Sequence, residues 1–309
     1  MLQQFDPRNE NIQIWIGDDL KPRNEAKVSV FDSSVQGGDA VWEGIRVYEQ
    51  GVFALDDHIS RLLHSAKALA FAEVPDRSFI KNAIYQTLIS NDMTRDVHIR
   101  LTLTRGEKIT SGMDPRLNQS NSCLIVLAEW KPPVYNNESG IRVISTSVQR
   151  NSPRHLDSKI HHNNLLNNIL AKIQANVAGV DAGLMLDTQG FVAELNGTNI
   201  FLIRDGQVFT PHAHACLPGI TRKLTIQCCQ DLGLTCTQQN LSLTEFYTSE
   251  GVFATGTMGE LTPIVEIDGR SIDFEKGKTV FDKIKDQFQR LIPELCTKIE
   301  KLQGSQTCR

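Results

Sequence analysis

A polar break marked by two prolines near the middle of the chain most constrains how this sequence can fold. The segment KPPVYNNESG (131–140) has strand-like sequence on both sides, and prolines beside a polar cluster are typical of linkers. The 309 residues also exceed the usual size of a single hydrophobic core. The sequence therefore predicts a domain at 1–130, a linker at 131–139 and a second domain at 140–309.

Alternating apolar residues predict strands before the break, in NIQIWIG, KVSVFD, VHIRLTLTRG and SCLIVLAEW. The segment AVWEGIRVYEQGVFAL predicts two strands that turn at EQG (49–51). Two helices are expected between these strands, one capped by Asp56-Asp57 and one over about 76–90.

After the break, a strand (IRVISTSV) and two hairpins are expected, with turns at QG (189–190) and DG (205–206). A helix opens in GITRKLTIQCC, and a final helix over about 279–302 is interrupted at Pro293. Since strands and helices are mixed without a steady βαβ repeat, the sequence predicts an α+β fold.

Lys159 stands just before a further helix in this second half. The apolar residues of that helix share one face, which is predicted to be buried: Leu165, Leu166, Ile169, Leu170 and Ile173. This spacing predicts that Lys159 itself lies outside the helix.

Composition excludes several classes of function. The net charge is −4 and no run of like charges would form a nucleic-acid or membrane patch. No apolar stretch reaches the roughly 18 residues of a membrane span, and the first residues do not read as a secretory signal. The seven cysteines, Cys308 among them, form no C-x-x-C pair, which predicts a reducing, cytoplasmic location without structural zinc. Neither GxGxxG nor GxxxxGK[ST] occurs, so the common nucleotide motifs give no support.

Lys159 has three candidate roles: an exposed charge, a neighbour of a metal bound by His161 and His162, or an amine that does covalent chemistry. Adjacent histidines on a helix point about 100° apart, and no acidic or cysteine ligand stands at metal-binding spacing, so no metal site is predicted. A lysine in a closed cleft has its ammonium form disfavoured, and the neutral amine can condense with an aldehyde. The alternative is a solvated surface lysine.

Four further segments could bind anions or balance charge. Glu194 ends a strand in AELNGTNIFLIRDGQVFTP, and CLPGITRKLTI starts a helix near Ile220 and Thr221, where backbone N–H groups favour phosphate. Arg61 in DDHISRLL could make a two-pronged phosphate contact, and Thr257 lies in the glycine-marked turn of FATGTMGELTPI. Taken singly, each is also an ordinary surface or turn residue.

In their order and spacing, VWEGIRVY, HISRL, SK, AELNGTNIF, LPGITR and GTMGELTPI resemble the fold type IV (class IV) pyridoxal-phosphate aminotransferases. That family includes branched-chain amino acid aminotransferases, D-amino acid aminotransferases, (R)-selective amine transaminases and aminodeoxychorismate lyase. The resemblance covers nearly the whole chain. It implies a two-domain, D-amino acid aminotransferase-like fold with a small α/β domain, a larger α/β pseudo-barrel domain carrying the lysine, the cofactor in the interdomain cleft, and a homodimer.

The resemblance also implies roles for individual residues. Lys159 would hold pyridoxal 5'-phosphate as an aldimine and move a proton between substrate Cα and cofactor C4′. Glu194 would contact the pyridine nitrogen and keep it protonated. The other cofactor positions bind the phosphate: Arg61, Ile220, Thr221 and Thr257. The expected substrate positions are Arg100, Arg46, Trp42, Gly38, Thr257 and Met258.

One departure from the family concerns the residue after the lysine. Branched-chain enzymes have a tyrosine there that bonds the cofactor's phenolic oxygen, whereas KIHHNNLL has none, and Asn163, Asn164 or Leu165 stands nearest. Arg100 matches the arginine that helps bind the distal carboxylate of 2-oxoglutarate, while Gly37 and Gly38 suggest a roomier pocket.

The resemblance therefore predicts ping-pong transamination between an amino acid, expected to be a branched-chain L-amino acid, and a 2-oxo acid such as 2-oxoglutarate. A D-amino acid or (R)-amine transaminase is the alternative, followed by an aminodeoxychorismate lyase.

Overall fold

The computed structural model describes residues 3–300, which fall into two compact units. The first unit comprises Gln4–Pro132, His161–Asn164 and the described residues from Leu295 onward. The second comprises Gln3, Pro133–Ile160 and Leu165–Glu294. The change of unit after Pro132 lies in the predicted linker, whereas the two short returns to the first unit have no signal in the sequence. Cys308 and positions 301–302 of the predicted last helix lie outside the described residues.

The secondary structure mixes short strands with a few longer helices. The strands are β1 (Gln13–Ile16), β2 (Asp19–Pro22), β3 (Ala40–Tyr48), β4 (Gly51–Phe53), β5 (Val97–Thr104), β6 (Cys123–Trp130), β7 (Ile141–Ser145), β8 (Ala182–Leu186), β9 (Val192–Leu195), β10 (Asn199–Arg204), β11 (Gln207–Thr210), β12 (Cys236–Gln238), β13 (Gly251–Gly256), β14 (Glu260–Ile267), β15 (Arg270–Ser271) and β16 (Cys296–Thr297). The helices are α1 (Ser33–Gly37), α2 (Leu55–Ala68), α3 (Arg77–Ser90), α4 (Leu166–Val177), α5 (Ile220–Asp231), α6 (Leu243–Tyr247) and α7 (Phe274–Leu295). Short 3-10 helices cover Pro7–Asn9 and Pro115–Leu117.

The first unit is built on an antiparallel sheet in the order β16-β4-β3-β5-β6-β1-β2. Helix α2 packs against β3, and α3 packs against β6 and β1. Since side chains alternate between the faces of a strand, Trp42, Gly44 and Arg46 share one face of β3 and Glu43 lies on the other. The core consists of fully buried aliphatic residues from the sheet and both helices: Ile45, Val47, Ile59, Leu62, Ile80, Ile84, Leu88, Ile99 and Leu101.

The second unit is built on a mixed sheet in the order β12-β11-β10-β13-β14-β7-β8-β9, with β15 paired to β14. Three pairs are parallel, β11 with β12, β14 with β7 and β7 with β8. Its core packs strand residues against α6, including Leu184, Leu195, Ile200, Leu202, Phe246 and Ile264.

The predicted α+β class is confirmed. Among the described residues no helix is both long and apolar enough to cross a lipid bilayer.

Two helix boundaries differ from the prediction. Helix α2 begins at Leu55 after Ala54 in the left-handed region, with no side-chain cap, so Asp56 and Asp57 lie in its first turn, where their charges favour the helix dipole. Helix α7 begins earlier than predicted and continues through Pro293 to its end. The proline stands in the last turn, where it removes one backbone hydrogen bond without breaking a longer helix.

Helix α4 packs on its unit through the face opposite to the one that was predicted to be buried. Its buried residues are Ala171 and Ala175, and Leu165 before its first turn is only half-buried. The larger apolar residues are exposed: Leu166, Ile169, Leu170, Ile173 and Val177. Periodicity located the helix and its apolar face correctly, but the small face packs on the unit because the alanines allow close approach to β8.

Candidate active site

Lys159 lies in a turn before α4, as predicted, and its side chain is 42% exposed. Its Nζ is 2.9 Å from Asp157 Oδ1, and its backbone N–H donates to the same oxygen. Burial acts to raise the pKa of Asp157, but these two hydrogen bonds outweigh it, so the pKa is lowered. The lysine is therefore accessible and held beside one carboxylate within its own turn.

Glu194 is a buried carboxylate in β9 of the same unit. Its Oε1 is 2.8 Å from Arg150 Nη2, and its Oε2 accepts a hydrogen bond from Asn199 Nδ2 at 3.1 Å. The Leu217 amide approaches Oε1 at 3.4 Å. Burial raises the pKa of Glu194, and Arg150 acts against this rise. The donors on three sides stabilise the charged form in a dry environment.

Arg150, which was not predicted as a site residue, is nearly as buried as Glu194. Its Nη1 donates to Asn168 Oδ1 at 2.8 Å, and Asn168 Nδ2 donates to the Asn196 carbonyl. The arginine thus links the carboxylate in β9 to helix α4.

The start of α5 is joined to Glu194 through Asn199. Besides the carboxylate, Asn199 Nδ2 donates to the Leu217 carbonyl at 2.9 Å. A Cβ on Gly219, the residue that caps α5, would overlap Asn199 Oδ1, so any other residue there would have to displace the Asn199 side chain. Helix α5 begins at Ile220 and Thr221 directly after this glycine, and the first N–H groups of a helix have no partner within it.

Cys216 is a buried thiol in the same unit as Lys159, Glu194 and Arg150. Burial raises the pKa of Cys216 to about 12, with Glu194 adding to the rise and Arg222, Arg150 and Lys159 opposing it.

Thr257 and Met258 lie in the tight turn between β13 and β14, as predicted. The Gly259 amide closes the turn on the Gly256 carbonyl, and the Val134 amide donates to the Met258 carbonyl at 3.1 Å. Both side chains are half-buried. The turn is fixed by backbone bonds.

In the first unit, Arg61 pairs with Glu43, a residue that the sequence did not single out. Arg61 Nε donates to Glu43 Oε1 at 2.8 Å and Nη2 donates to Oε2 at 2.6 Å. The Glu43 side chain is completely buried, while the Arg61 side chain is 15% exposed. A parallel two-bond pair of this kind sets both the position and the plane of the guanidinium.

Two histidines complete the surroundings of Glu43. His58 Nδ1 lies 2.7 Å from Oε2, and His161 Nδ1 lies 3.1 Å from Oε1. Burial lowers the pKa of His161 to about 4, so its ring is neutral near pH 7 and Nδ1–H donates to the carboxylate. Among the described residues no group of three or more histidine, cysteine, aspartate or glutamate side chains is arranged so that it could hold a metal ion.

The segment 161–164 extends the edge of β3. The Trp42 amide donates to the His161 carbonyl, and the Asn163 amide donates to the Ala40 carbonyl. The His161 ring lies over Trp42 with 4.2 Å between centroids. On the same tryptophan the Arg100 guanidinium carbon lies 3.5 Å from the ring centroid.

Arg100 is oriented by Asn163 as well as by this ring. Its Nη2 donates to Asn163 Oδ1 at 2.6 Å, and burial lowers the pKa of the guanidinium to about 10. Asn163 and Asn164 were two of the residues considered as replacements for the family tyrosine. Asn163 is hydrogen-bonded to Arg100, whereas Asn164 is exposed and packs over Gly38.

The remaining predicted residue, Arg46, is buried and bound to the Lys131 carbonyl at 2.8 Å. On the same face, a Cβ on Gly44 would approach His98 Nε2 at 3.1 Å and the Trp42 ring at 3.4 Å. Gly44 therefore leaves room for the Trp42 stack, and Arg46 supports the end of that face.

Comparison with known proteins gives consistent results. The model of the family "Amino-transferase class IV" matches residues 40–267. The chain is 54% identical over 285 residues to "Branched-chain-amino-acid aminotransferase-like protein 2" of Arabidopsis thaliana, covering 92% of this chain but 51% of that protein, so it spans about half of that relative's length. It is 38% identical to the "Putative branched-chain-amino-acid aminotransferase" of Methanocaldococcus jannaschii, covering 90% of this chain and 96% of that one. The solved structure of the branched-chain amino acid aminotransferase of Escherichia coli matches with a TM-score of 0.86 and 28% identity, over 93% of this chain and 96% of the other.

Proposed function

The chain belongs to the class IV aminotransferase family, and on that premise we propose that it is a pyridoxal-phosphate-dependent aminotransferase acting on branched-chain L-amino acids. The family match and the likeness to a fold type IV enzyme confirm the predicted family and fold. The names of the relatives support the branched-chain substrate class over a D-amino acid or (R)-amine donor.

The described residues fit the cofactor. Glu194 would offer a buried negative charge to a ring nitrogen, and the N-terminus of twelve-residue α5, capped by Gly219, would offer backbone N–H groups to a phosphate. Arg61 and Thr257 would add further phosphate contacts. When bound, pyridoxal phosphate supplies an electron-accepting ring that stabilises negative charge at substrate Cα.

The protein's own groups would then divide the work. Lys159 Nζ would anchor the cofactor and, once displaced by the substrate amine, move the proton at Cα. Its 42% exposure and its place in a turn leave the amine reachable. Glu194, held charged by Arg150 and Asn199, would keep the ring nitrogen protonated.

Substrate recognition is proposed to use both carboxylates of the acceptor. The turn amides at Thr257 and Met258 would bind the α-carboxylate, since such turns concentrate N–H groups. Arg100, stacked on Trp42 and oriented by Asn163, would bind the distal carboxylate of 2-oxoglutarate. Gly38 and Arg46 would shape and support this wall.

We also propose that two copies of the chain form a dimer through α4. Five large apolar side chains lie exposed on one face of this helix, with Leu166 at 67% and Val177 at 85%. A contiguous exposed apolar patch marks an interaction surface, and a helix in a two-fold interface can pack against its own copy.

Since none of the six cysteines in the described part is in a disulfide, a cytoplasmic location is proposed as well.

The observation that carries the proposed activity is the buried Glu194–Arg150 pair in the unit that holds Lys159 and the start of α5. The test is a half-reaction: pyridoxal-phosphate-loaded protein is mixed separately with L-leucine, D-alanine and an (R)-aryl amine while absorbance is followed. Conversion to the pyridoxamine form by L-leucine alone is expected. Lys159→Ala should abolish conversion, while Lys278→Ala, on the exposed side of α7, should not. Conversion by D-alanine or the amine with L-leucine inert would overturn the donor assignment.

A further inference from the structure

We propose that Glu43 is a positioning residue that fixes the Arg61 guanidinium in the orientation needed to bind the cofactor phosphate. The inference rests on the proposed function, because it takes Arg61 as a phosphate ligand. In this role Glu43 would contact neither the cofactor nor the substrate, but it would set the orientation of the arginine that binds the phosphate.

The pair geometry supports this role. A guanidinium carries five N–H groups, and the bonds from Nε and Nη2 to Glu43 use two of them along one edge. Because the group is planar and rigid, fixing that edge fixes the direction of every remaining N–H. Arg61 is the less buried partner, at 15% side-chain exposure against none for Glu43. The carboxylate therefore holds the arginine from the inside while the arginine reaches the surface of the unit.

The carboxylate itself cannot easily turn. Each of its oxygens receives one bond from Arg61 and one from a histidine, His161 at Oε1 and His58 at Oε2. Four donors match the four lone-pair sites of a carboxylate. Glu43 thus joins three separate pieces of the first unit, β3, α2 and the segment 161–164.

The charge balance favours an ionised pair. Burial by itself would raise the pKa of Glu43, but the charge of Arg61 and the hydrogen bonds from Arg61 and His161 hold it well below its usual range. With His161 neutral near pH 7, Arg61 supplies the full positive charge that matches the carboxylate. Buried ion pairs contribute little net stability compared with apolar packing, so the effect expected of this pair is on the orientation of Arg61.

The experiment compares two ligands that differ only in the phosphate. Apoprotein is titrated with pyridoxal 5'-phosphate and with pyridoxal, and binding is followed by absorbance and by quenching of tryptophan fluorescence. Glu43→Gln is expected to weaken pyridoxal 5'-phosphate binding about tenfold or more, while pyridoxal affinity stays within about twofold. The matched control, Glu129→Gln, removes a carboxylate from β6 of the same sheet and should change neither affinity.

A double-variant cycle locates the effect on Arg61. If Glu43 acts by orienting Arg61, adding Glu43→Gln to Arg61→Ala should produce no further loss of phosphate-dependent affinity. Should Glu43→Gln fail to fold by circular dichroism, Glu43→Asp keeps the charge but shortens the reach, and the same phosphate-specific loss is expected.

Three outcomes would overturn the inference. Equal weakening of both ligands would show a general structural role, and unchanged affinity for both would show no role. Additive losses in the cycle would show that Glu43 acts independently of Arg61. Failure of the wild-type apoprotein to bind pyridoxal 5'-phosphate would instead refute the proposed function itself, so the two failures are distinguishable.

Discussion

Arg150 Nη2 lies 2.8 Å from Glu194 Oε1, and both side chains are buried. Removing one partner of such a pair leaves an uncompensated buried charge. We expect Arg150→Met to lower the free energy of unfolding by about 3 kcal/mol or more, measured by urea denaturation.

The double variant Arg150→Met with Glu194→Gln should recover part of this loss, because the charge left unpaired is also removed. Arg154→Met, at an exposed position nearby, is the control and should change stability by about 0.5 kcal/mol or less. Equal effects at positions 150 and 154 would contradict the importance of the pair.

The second prediction concerns Asn163 and acceptor choice. Its Oδ1 holds Arg100 Nη2 at 2.6 Å, so Asn163→Ala frees the guanidinium to take other rotamers. We expect the KM for 2-oxoglutarate to rise about fivefold, while kcat/KM for 4-methyl-2-oxopentanoate, which has no distal carboxylate, stays within about twofold. Steady-state kinetics with both acceptors test this, and a matching loss with both would disconnect Asn163 from carboxylate recognition.

The third prediction is a pH dependence of stability through His98. Burial, together with the positive charges of Lys131, Arg100 and Arg46, lowers the pKa of His98 from 6.5 to about 3. Between these values the unfolded chain binds a proton that the native protein does not, so stability falls as the pH falls. The contribution amounts to about 2 kcal/mol lost on going from about pH 7 to about pH 5.

Urea denaturation of the wild type and of His98→Gln at a series of pH values measures this difference. The variant should show a flatter dependence over the same window because its side chain takes up no proton in either state. Parallel curves would mean that His98 is protonated equally in both states.

The fourth prediction concerns the exposed face of α4. Ile173→Glu places a charge in the centre of the proposed dimer contact, and burying an unpaired charge is unfavourable. The dimer dissociation constant should increase about tenfold or more, as measured by light scattering after size-exclusion chromatography. Gln289→Glu adds the same charge to an exposed position on α7 and should leave assembly unchanged. A dimer of unaltered affinity in Ile173→Glu would place the contact elsewhere.

Local patterns predicted most of the fold. Alternation located β3, β5 and β6, and turn sequences located the hairpins, because strand period and turn chemistry are encoded within a few residues. The orientation of α4 could not be read in this way. Periodicity identifies an apolar face but does not say whether that face meets its own unit or another surface.

The residues of the candidate site also divide into those that local sequence motifs reveal and those that only the folded chain reveals. Lys159, Glu194 and the start of α5 belong to short motifs that the sequence displays directly. Glu43 was visible within VWEGIRVY, yet its partners Arg61 and His161 are 18 and 118 residues away, and nothing local announces such contacts. Arg150 stands in no motif at all, so only the folded chain shows its bond to Glu194.

The returns of the chain to the first unit have a consequence for biosynthesis. Its sheet ends in β16, which pairs with β4, and the edge of β3 is extended by residues 161–164. A ribosome that has released only the residues up to Pro132 has supplied neither piece. Until β16 has been synthesised, the nascent first unit therefore has an unpaired β4 edge, and Glu43 lacks its partner His161 for part of that time. An exposed strand edge can pair with another chain, so the early chain depends on protection from edge-to-edge association.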